Sequence, residues 1–566
     1  MNKLSLSDRF KPDQRPLQLA LLLLIGLVSV AFWPGLHGDW GRDDFMQLAM
    51  VRMLGSPWPL FYTDHFVAMP GAVFRPLGFA GLWLGGWLFG TDYFAHALIS
   101  LMLHLGVCLA LFTLLRSLAV GLMTATLVSL LFGLHPTVIG TALWWSARFD
   151  LLAALFVLLG LVMSLRFIRY LSIRDMLAAS VLMLAAMLSK EIGLIGALGS
   201  AMILAIAALA RPDRRLRLLF GLALAAASVL IFFLWRHATL GTFGSGIASG
   251  LPLSRILLEG SVTWLQLAWS WSTFWERLTV LERGLMLVGS LMLLVSSLGL
   301  FRAAPPPARP ASTATLPSPI AFVIGLSLLL LPALLQAPVV VLNAAPLMAQ
   351  ESAVETAMQS RLYYMSLAGL AMLLGIGLDG VFSRLGRGTR AIASVALLLI
   401  GLALGLATHQ HARAFADRSS SMAELAHQIS DAVLGLDLPA ERCHVLVLDL
   451  APPPEWSRYV SVDSMVKALH PVPQAVGHCL FHANFITFFH LVDKRHAMLD
   501  PWPFLDLSIN DQPVPRRTIG QLTTMHLQYP DQLPPEAIAN LQVLRHEGGQ
   551  IVNSQVRPDE WPYQAR

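Results

Sequence analysis

Two adjacent carboxylates, Asp43 and Asp44, follow the first apolar segment of the chain. Ionisable groups at the end of a membrane helix are costly to keep, so they mark candidate functional sites. Paired carboxylates raise each other's pKa, and one can then act as a base while the other binds a cation or positions a substrate. The alternative is a solvated loop in which the pair caps a helix expected over residues 45–54.

Cationic and polar residues stand at the ends of later apolar segments. Arginine is always charged and forms bidentate contacts with phosphate, and a lysine beside a glutamate suits the same ligand. Each position also has a structural interpretation, namely a snorkelling Arg, an ion pair with Asp150, a tight interhelical loop, or aromatic anchors in the membrane interface at Trp144, Trp145 and Tyr363. The candidate set is Arg75, His135, Arg148, Lys190, Glu191, Arg361 and Tyr363.

An acid together with several cations suits group transfer from an anionic lipid. The cations would hold the leaving phosphate or diphosphate, and an aspartate would deprotonate the acceptor hydroxyl. The sequence establishes no cofactor and identifies no metal ligands, and an acid pair of this kind is compatible with Mg²⁺ or Mn²⁺. His96 and His104 share a helix face, but their spacing differs from the i, i+4 spacing of metal ligands. We therefore expect them to be buried and hydrogen-bonded to a neighbouring helix.

The elements that must position these groups are membrane helices. Of the 566 residues, 56% are hydrophobic and only 13% are charged, against about a quarter charged in soluble proteins. The apolar runs are too long for an outer-membrane barrel, and the arginines lie in short loops, which argues against nucleic acid as a partner. The fold class is an all-α polytopic membrane protein with about eleven helices. The expected spans are 17–33, 94–115, 118–134, 148–165, 175–189, 191–210, 217–235, 283–301, 318–335, 363–380 and 389–407.

The distribution of arginines predicts the orientation and the domains. Basic residues concentrate in alternate loops, which places the N-terminus (1–16) in the cytoplasm. The apolar run 17–33 that follows is expected to be a retained first helix and not a cleaved signal peptide. The membrane domain is expected over 17–407, with an outer loop at 34–93 and a Pro-rich cytoplasmic linker at 302–317. Segments 76–89 and 257–275 look like helices lying in the interface. Residues 408–566 would then form a small periplasmic α/β domain, with a helix at 424–436 and a strand at 443–450.

The chain contains three cysteines. Cys108 lies inside an apolar segment and is expected to be inert packing. Cys443 and Cys479 both lie in the C-terminal part, where a disulfide is open in an oxidising compartment.

Several motifs occur in the order found in a known family. They are the pair His96 and His104, the run 131–136 with His135-Pro136, the run 144–153 with Arg148 and Asp150, and Ser189-Lys190-Glu191. Over residues 17–410 the chain resembles the membrane part of TMTC-type O-mannosyltransferases, which belong to the GT-C superfamily with the protein O-mannosyltransferases. The run 38–44 looks like the acidic motif of their first outer loop, and Arg75-Pro76 and Arg361-Leu362-Tyr363 match further short motifs.

The resemblance implies an integral membrane glycosyltransferase of the bacterial inner membrane. It would take a sugar from a polyprenyl-phosphate donor in an inverting displacement, with Asp43 or Asp44 as the catalytic base. Arg75, Arg148, Lys190 and Arg361 would contact the lipid phosphate or the sugar.

Two departures limit what carries over from the family. The family usually has a Glu after His-Pro where this chain has Gly140, and no tetratricopeptide repeat is visible after residue 408. The acceptor, whether a glycan, a lipid or a protein, is therefore open. The alternatives are a transporter or flippase for a lipid-linked or anionic substrate, and a non-catalytic membrane scaffold.

Overall fold

The computed structural model describes most of the membrane region and parts of the C-terminal region. The described residues are 15–41, 44–63, 73–244, 254, 278–298, 318–342, 360–438, 443–448, 462–477, 479–483, 506–509, 512–513, 526–528 and 541–554. The predicted interfacial segment 257–275, the linker 302–317 and Asp43 lie outside these residues.

The described part of the chain is mainly helical. Its helices are α1 (Arg15–Phe32), α2 (Asp44–Met53), α3 (Pro76–Phe89), α4 (Tyr93–Ser117), α5 (Leu122–Gly133), α6 (Ile139–Ala142), α7 (Arg148–Tyr170), α8 (Ile173–Ser189), α9 (Leu194–Ala210), α10 (Arg215–Leu240), α11 (Val280–Leu298), α12 (Ser318–Leu342), α13 (Tyr364–Phe382), α14 (Arg387–Leu434) and α15 (Val462–Leu469). The strands are β1 (Cys443–Leu448), β2 (Cys479–Ala483), β3 (Asp506–Ile509), β4 (Gln512–Pro513), β5 (His526–Gln528), β6 (Leu541–Glu547) and β7 (Gln550–Ser554).

The polytopic helical prediction is confirmed. Every one of the predicted spans contains a helix, and eight described helices are long and apolar enough to cross a membrane, or nine if the bent pair formed by α5 and residues Pro136–Ala142 is one span. The helix α3 is apolar but shorter, as expected for segment 76–89. Helices α8 and α11 are present but fall outside that set of eight, so the span count of about eleven stays a prediction.

The chain forms two compact units. The first comprises Met1–His37, Ala97–Leu234 and Ile247–Phe415, and the second comprises Gly38–His96, Trp235–Gly246 and Ala416–Arg566. The predicted domain boundary at 407/408 falls inside the uninterrupted helix α14, and the predicted helix 424–436 is the last part of that same helix.

In the first unit, apolar helices pack closely through small residues. Helix α7 packs against α8 and α9, and α12 packs against α13 and α9. A Cβ built on Gly369 of α13 would lie 2.4 Å from the Leu329 nitrogen of α12, so only glycine allows the two backbones to approach this closely.

The predicted span 118–134 ends in a bend of 57° before Pro136. Proline has no N–H to donate and disfavours a helical residue before it, and His135 is accordingly extended with a ψ of 126°. The Leu134 carbonyl at this break accepts a hydrogen bond of 2.7 Å from the Thr408 hydroxyl. The bend therefore turns the segment 135–147 across the end of the helices while a neighbouring helix satisfies the freed backbone group.

The second unit contains α2, α3, the first turn of α4, α15 and two small sheets. In the larger sheet the order is β2-β1-β6-β7, where β1 is parallel to β2 and β6, and β6 and β7 form an antiparallel hairpin. The helix α15 lies between β1 and β2 in the sequence and packs on β2. The buried side chains of this sheet are those of Val445, Val447, Phe481 and Leu544. The predicted strand and the predicted α/β character of this region are thus confirmed.

The cysteines are in two states. Cys108 is buried and free, as predicted. Cys479 is disulfide-bonded, and the strand register sets Cys443 opposite it.

Candidate functional site

Several of the charged residues lie at one end of the first unit. Helices α7 and α8 are consecutive, packed together and joined by two residues, so the start of α7 and the end of α8 lie at the same end. Lys190, which follows α8, extends its Nζ to within 2.5 Å of the Asp150 Oδ1 in the first turn of α7. The side chains are only 13% and 7% exposed, so this is a buried ion pair. Glu191 begins the 3-10 turn that follows Lys190.

Arg148 is fully enclosed at the same helix end. It is 2% exposed, and its Nε donates a hydrogen bond of 2.8 Å to the Ser100 hydroxyl of α4. Its guanidinium carbon also lies 5.7 Å from the centre of the Trp145 ring. The sequence-based interpretation of an Arg148–Asp150 ion pair is superseded, because the Asp150 Oδ1 is held by Lys190 on the neighbouring helix.

The two tryptophans of this segment are not interface anchors. Trp144 is 4% exposed and Trp145 is 1% exposed, which corrects the expectation that they face the lipid boundary. Trp144 instead lies under Arg361, whose guanidinium carbon is 4.1 Å from the ring centre. A cation at this distance from a tryptophan face is attracted by the ring and held in place.

Arg361 comes from the 3-10 turn Ser360–Tyr363 at the start of α13, and this turn contacts α6 and the 3-10 turn Pro136–Val138. Tyr363 is 9% exposed, so it too is buried and does not anchor the chain in the interface. Next to it, the Tyr364 hydroxyl lies 2.7 Å from the His104 Nδ1, and the His104 Nε2 donates to the Gly133 carbonyl at 3.1 Å. The prediction that His104 is buried and bonded to neighbouring helices is confirmed.

His135 holds the turn at the bend. It is 6% exposed, and its Nδ1 accepts from the Thr137 N–H at 3.3 Å and lies 2.7 Å from the Thr137 hydroxyl. This contact fixes the start of the segment that carries Thr141 and Trp144. His96, in the second unit, donates from its Nε2 to the Gly90 carbonyl at the end of α3.

Some buried polar atoms in this region of the first unit have no hydrogen-bond partner within the described part of the chain. They are the Thr141 Oγ1, the Trp144 Nε1, the Ser366 Oγ and the Arg361 Nε. Thr141 is fully buried, Ser366 is 3% exposed and Trp144 is 4% exposed. Buried polar groups in folded proteins are nearly always satisfied, so these atoms are available to hydrogen-bond a polar group. Together with Arg148, Lys190 and Arg361, they define what we call the cation pocket.

The acidic loop belongs to the second unit. Asp44 is the first residue of α2 and is 3% exposed, and its N–H donates to the Gly41 carbonyl at 3.1 Å. A carboxylate in the first turn of a helix is stabilised by the helix dipole. The helix expected over 45–54 is therefore present, and Asp44 lies at its start.

Asp39 fixes the loop before Asp44 to the C-terminal part of α14. Its Oδ2 accepts from the His427 Nε2 at 3.2 Å, and its N–H donates to the Ser419 hydroxyl at 3.0 Å. The neighbouring Trp40 donates from its Nε1 to the Thr91 carbonyl at 3.0 Å. Hydrogen bonds to α14 and to the Thr91 carbonyl therefore hold the acidic loop in place within its own unit.

Arg75 directly precedes α3 and occupies its N-cap position, and its carbonyl accepts from the Phe79 N–H. Helix α3 packs against α2, the helix that begins at Asp44. Arg75 and Asp44, two of the residues that the sequence singled out, thus lie on neighbouring helices of one unit.

A metal site was left open by the sequence. Within the described ranges, no group of three or more His, Cys, Asp or Glu side chains could hold a metal ion. Asp43 lies outside those ranges, so Mg²⁺ or Mn²⁺ stays a prediction and no step below depends on it.

Several partners in these sites escaped the sequence analysis. Ser100 lies among apolar residues in α4, and nothing in its local sequence distinguishes it from a packing residue. The Arg361–Trp144 and Lys190–Asp150 contacts join residues that are far apart in the sequence. Only the shared position of these residues at predicted outer helix ends pointed to a common location.

Neither a protein-family model nor a curated protein matches the sequence. Among solved structures, the chain is similar to ArnT from Cupriavidus metallidurans bound to undecaprenyl phosphate, with 15% identity over 81% of this chain and 85% of that chain and a TM-score of 0.40. It is also similar to the Archaeoglobus fulgidus oligosaccharyltransferase AglB in complex with an inhibitory peptide and a dolichol-phosphate, with 13% identity over 81% of this chain and 65% of that chain and a TM-score of 0.41.

Proposed function

We propose that this chain is an integral membrane glycosyltransferase that moves a sugar from a polyprenyl-phosphate donor to an extracytoplasmic acceptor. The observation that carries the proposal is the cation pocket, in which Arg148, Lys190 and Arg361 lie at one end of a bundle of apolar helices. Cations at the end of membrane helices are suited to an anion that arrives on a lipid, because the apolar tail can remain between the helices.

The charge in the pocket favours a phosphate. Arg361 lies over the Trp144 ring, which holds the guanidinium in place without neutralising its charge, and Arg148 is held at the same helix end by the Ser100 hydroxyl. An arginine can donate two parallel hydrogen bonds to phosphate oxygens, which also orients the group. The nearby atoms of Thr141, Trp144 and Ser366 supply donors and acceptors of the kind that recognise a sugar.

The proposed reaction is a single displacement at the anomeric carbon. The acceptor hydroxyl oxygen forms a bond to that carbon while the bond from the carbon to the phosphate oxygen breaks. The polyprenyl phosphate leaves with the electron pair, and the cations stabilise its developing charge. Asp44, or its neighbour Asp43, takes the proton of the acceptor hydroxyl as general base. Arg75, His135, Glu191 and Tyr363 complete the proposed substrate-binding set.

The proposed location is the bacterial inner membrane, with the N-terminus in the cytoplasm and the C-terminus in the periplasm. The distribution of arginines supports this orientation. The acceptor is then a cell-surface glycan, a lipid or a protein on the outer side. The sugar itself is open, and mannose is suggested only by the resemblance to TMTC-type enzymes.

The proposal is tested by binding of the carrier lipid that the reaction releases, undecaprenyl phosphate, to the purified chain in detergent. We expect undecaprenyl phosphate to bind at least about tenfold more weakly to Arg361→Met than to wild type, because a charged hydrogen-bond donor to the phosphate is lost. The matched control is Arg116→Met, since Arg116 donates to the Val120 carbonyl and lies sixteen residues beyond Ser100 on α4, about 24 Å away along the helix.

Two outcomes would contradict the proposal. If undecaprenyl phosphate binds equally tightly to Arg361→Met and Arg116→Met, its phosphate does not bind in the cation pocket. Tight binding without any sugar transfer in membranes would favour the transporter or scaffold alternative.

A further inference from the structure

The helix that begins at Asp44 is capped at its other end by the C-terminal domain. Arg52, in the last turn of α2, donates from its Nη1 to the carbonyls of Ala468 at 2.5 Å and His470 at 2.9 Å. Its Nη2 donates to the Pro471 carbonyl at 3.2 Å. These carbonyls lie at the end of α15 and just beyond it, where helix carbonyls lack partners of their own and where a positive charge is favoured.

The cap is reciprocal. Gln474, in the 3-10 turn after α15, donates from its Nε2 to the Arg52 carbonyl at 2.9 Å. Close by, a Cβ built on Gly477 would lie 2.9 Å from the Met53 methyl carbon, so the two segments are in tight contact. Each segment thus supplies the hydrogen-bond partner that the other lacks. We call this arrangement the double cap.

The C-terminal side of the double cap is itself fixed. Lys467 and Asp463 form an ion pair of 2.8 Å within α15, and their side chains are only 6% and 4% exposed. The Asp463 Oδ1 also accepts from the Phe481 N–H on β2 at 3.3 Å. The helix α15 is therefore fixed to the sheet, and the hydrogen bonds of the double cap connect α2 to α15.

The helix α2 depends on this support. It has 10 residues, and a helix this short is marginal in water without packing. Eight of those residues are buried, including Asp44 at the start and Leu48 in the middle. Because a helix is stiff over such a length, a loose end at Arg52 would displace the carboxylate at the other end.

We infer that Arg52 and Gln474 are positioning residues for the acid at Asp44, so that the C-terminal domain sets the placement of the proposed base. The inference rests on the proposed function. It gives the C-terminal domain a role in the chemistry itself: the domain holds the base in the orientation from which it takes the acceptor proton.

The test combines a chemical probe of α2 with sugar transfer by the full chain. A Leu48→Cys reporter is introduced into wild type, Arg52→Ala, Arg52→Lys, Gln474→Ala and the control Arg116→Ala, and its rate of labelling by a maleimide is measured in detergent. We expect labelling to rise at least about tenfold in Arg52→Ala and less in Gln474→Ala, because the first change removes three hydrogen bonds and the second removes one.

Transfer kinetics provide the readout that a general loss of folding would not mimic. In Arg52→Ala we expect kcat to fall at least about tenfold, with the KM for the lipid donor unchanged and the acidic limb of the pH profile displaced. Arg52→Lys keeps a charged donor and should recover part of kcat. Gel filtration checks that each variant remains folded.

The outcomes separate the two claims. If wild type transfers sugar, and Arg52→Ala and Gln474→Ala match Arg116→Ala in labelling and kcat, the positioning inference is wrong and the proposed function stands. An increase in labelling with an unchanged kcat overturns it as well. If wild type transfers no sugar, the proposed function fails and the positioning of a base fails with it.

Discussion

Removal of Lys190 should destabilise the protein because it leaves the Asp150 carboxylate buried without its cation. The pair spans 2.5 Å between α7 and the residue after α8, and both side chains are largely buried. Breaking a buried pair by removing one partner costs about 3–5 kcal/mol of the free energy of unfolding. We therefore expect Lys190→Met to lose about that amount, since the methionine fills the space but provides no charge.

The double variant isolates the charge effect. Lys190→Met combined with Asp150→Leu should be more stable than Lys190→Met alone, because the uncompensated carboxylate is gone. The control is Asp213→Asn, which breaks the exposed pair of Arg214 and Asp213 and should change the free energy by less than about 1 kcal/mol. Free energies of unfolding are measured by titrating SDS into the detergent-solubilised protein and following tryptophan fluorescence.

Two results would refute this reasoning. One is a Lys190→Met variant that unfolds at the same SDS fraction as Asp213→Asn. The other is a double variant that is less stable than Lys190→Met, which would mean that the pair is not the reason for the loss.

Two further predictions concern packing and pH. Gly369→Ala should reduce the free energy of unfolding by about 1–3 kcal/mol, because the new methyl would lie 2.4 Å from the Leu329 backbone nitrogen. The control is Gly377→Ala in the same helix. Its new methyl would meet nothing within 4 Å, so this variant should be neutral or slightly stabilising in the same SDS titration. His427 lies well beyond the apolar part of α14, and its hydrogen bond to Asp39 raises its pKa above the ordinary value. The stabilising contact is therefore complete below the unfolded pKa of about 6.5 and is lost as the pH rises through the higher folded pKa. Limited proteolysis of the second unit should accelerate over that rise in wild type but not in Asp39→Asn, and identical pH profiles would contradict the assignment.

The helices were predictable because their signal is local. Long apolar runs bounded by charged or proline residues gave every membrane helix in the described part of the chain, usually within a few residues. The burial of His104 also followed from sequence, because a lone histidine in an apolar segment needs a partner inside the bundle. The alternating pattern at 443–450 located β1 for the same reason, since strand periodicity is a property of neighbouring residues.

The partners within the site were not predictable because they depend on helix packing. Trp144 and Trp145 have the composition of interface anchors, yet the bend before Pro136 turns their segment inward and buries both rings. Asp150 is closer in sequence to Arg148 than to Lys190, and only the packing of α7 against α8 selects the lysine. Their place at the helix ends therefore singled out Arg148, Lys190 and Arg361 but not their partners, and Thr141 and Ser366 gave no signal in the sequence.

The C-terminal contacts were missed for a related reason. Arg52 gave no signal in the sequence, because an arginine near the end of a short helix is usually solvated. Its carbonyl partners at Ala468 and His470 lie more than 400 residues later. The continuity of α14 from Arg387 to Leu434 was also missed, since the composition changes from apolar to polar without any break in the helix.

The most direct test of the proposed function is sugar transfer in membranes that contain wild type, Asp43→Asn or Asp44→Asn at matched protein level. The readout is one glycan on the surface polysaccharide, lipid or glycoprotein fraction. We expect wild type to make the product and one of the two asparagine variants to abolish it while remaining folded and inserted. Full product from both variants, or no product from wild type, would contradict the proposed function and leave the acid pair as a structural feature.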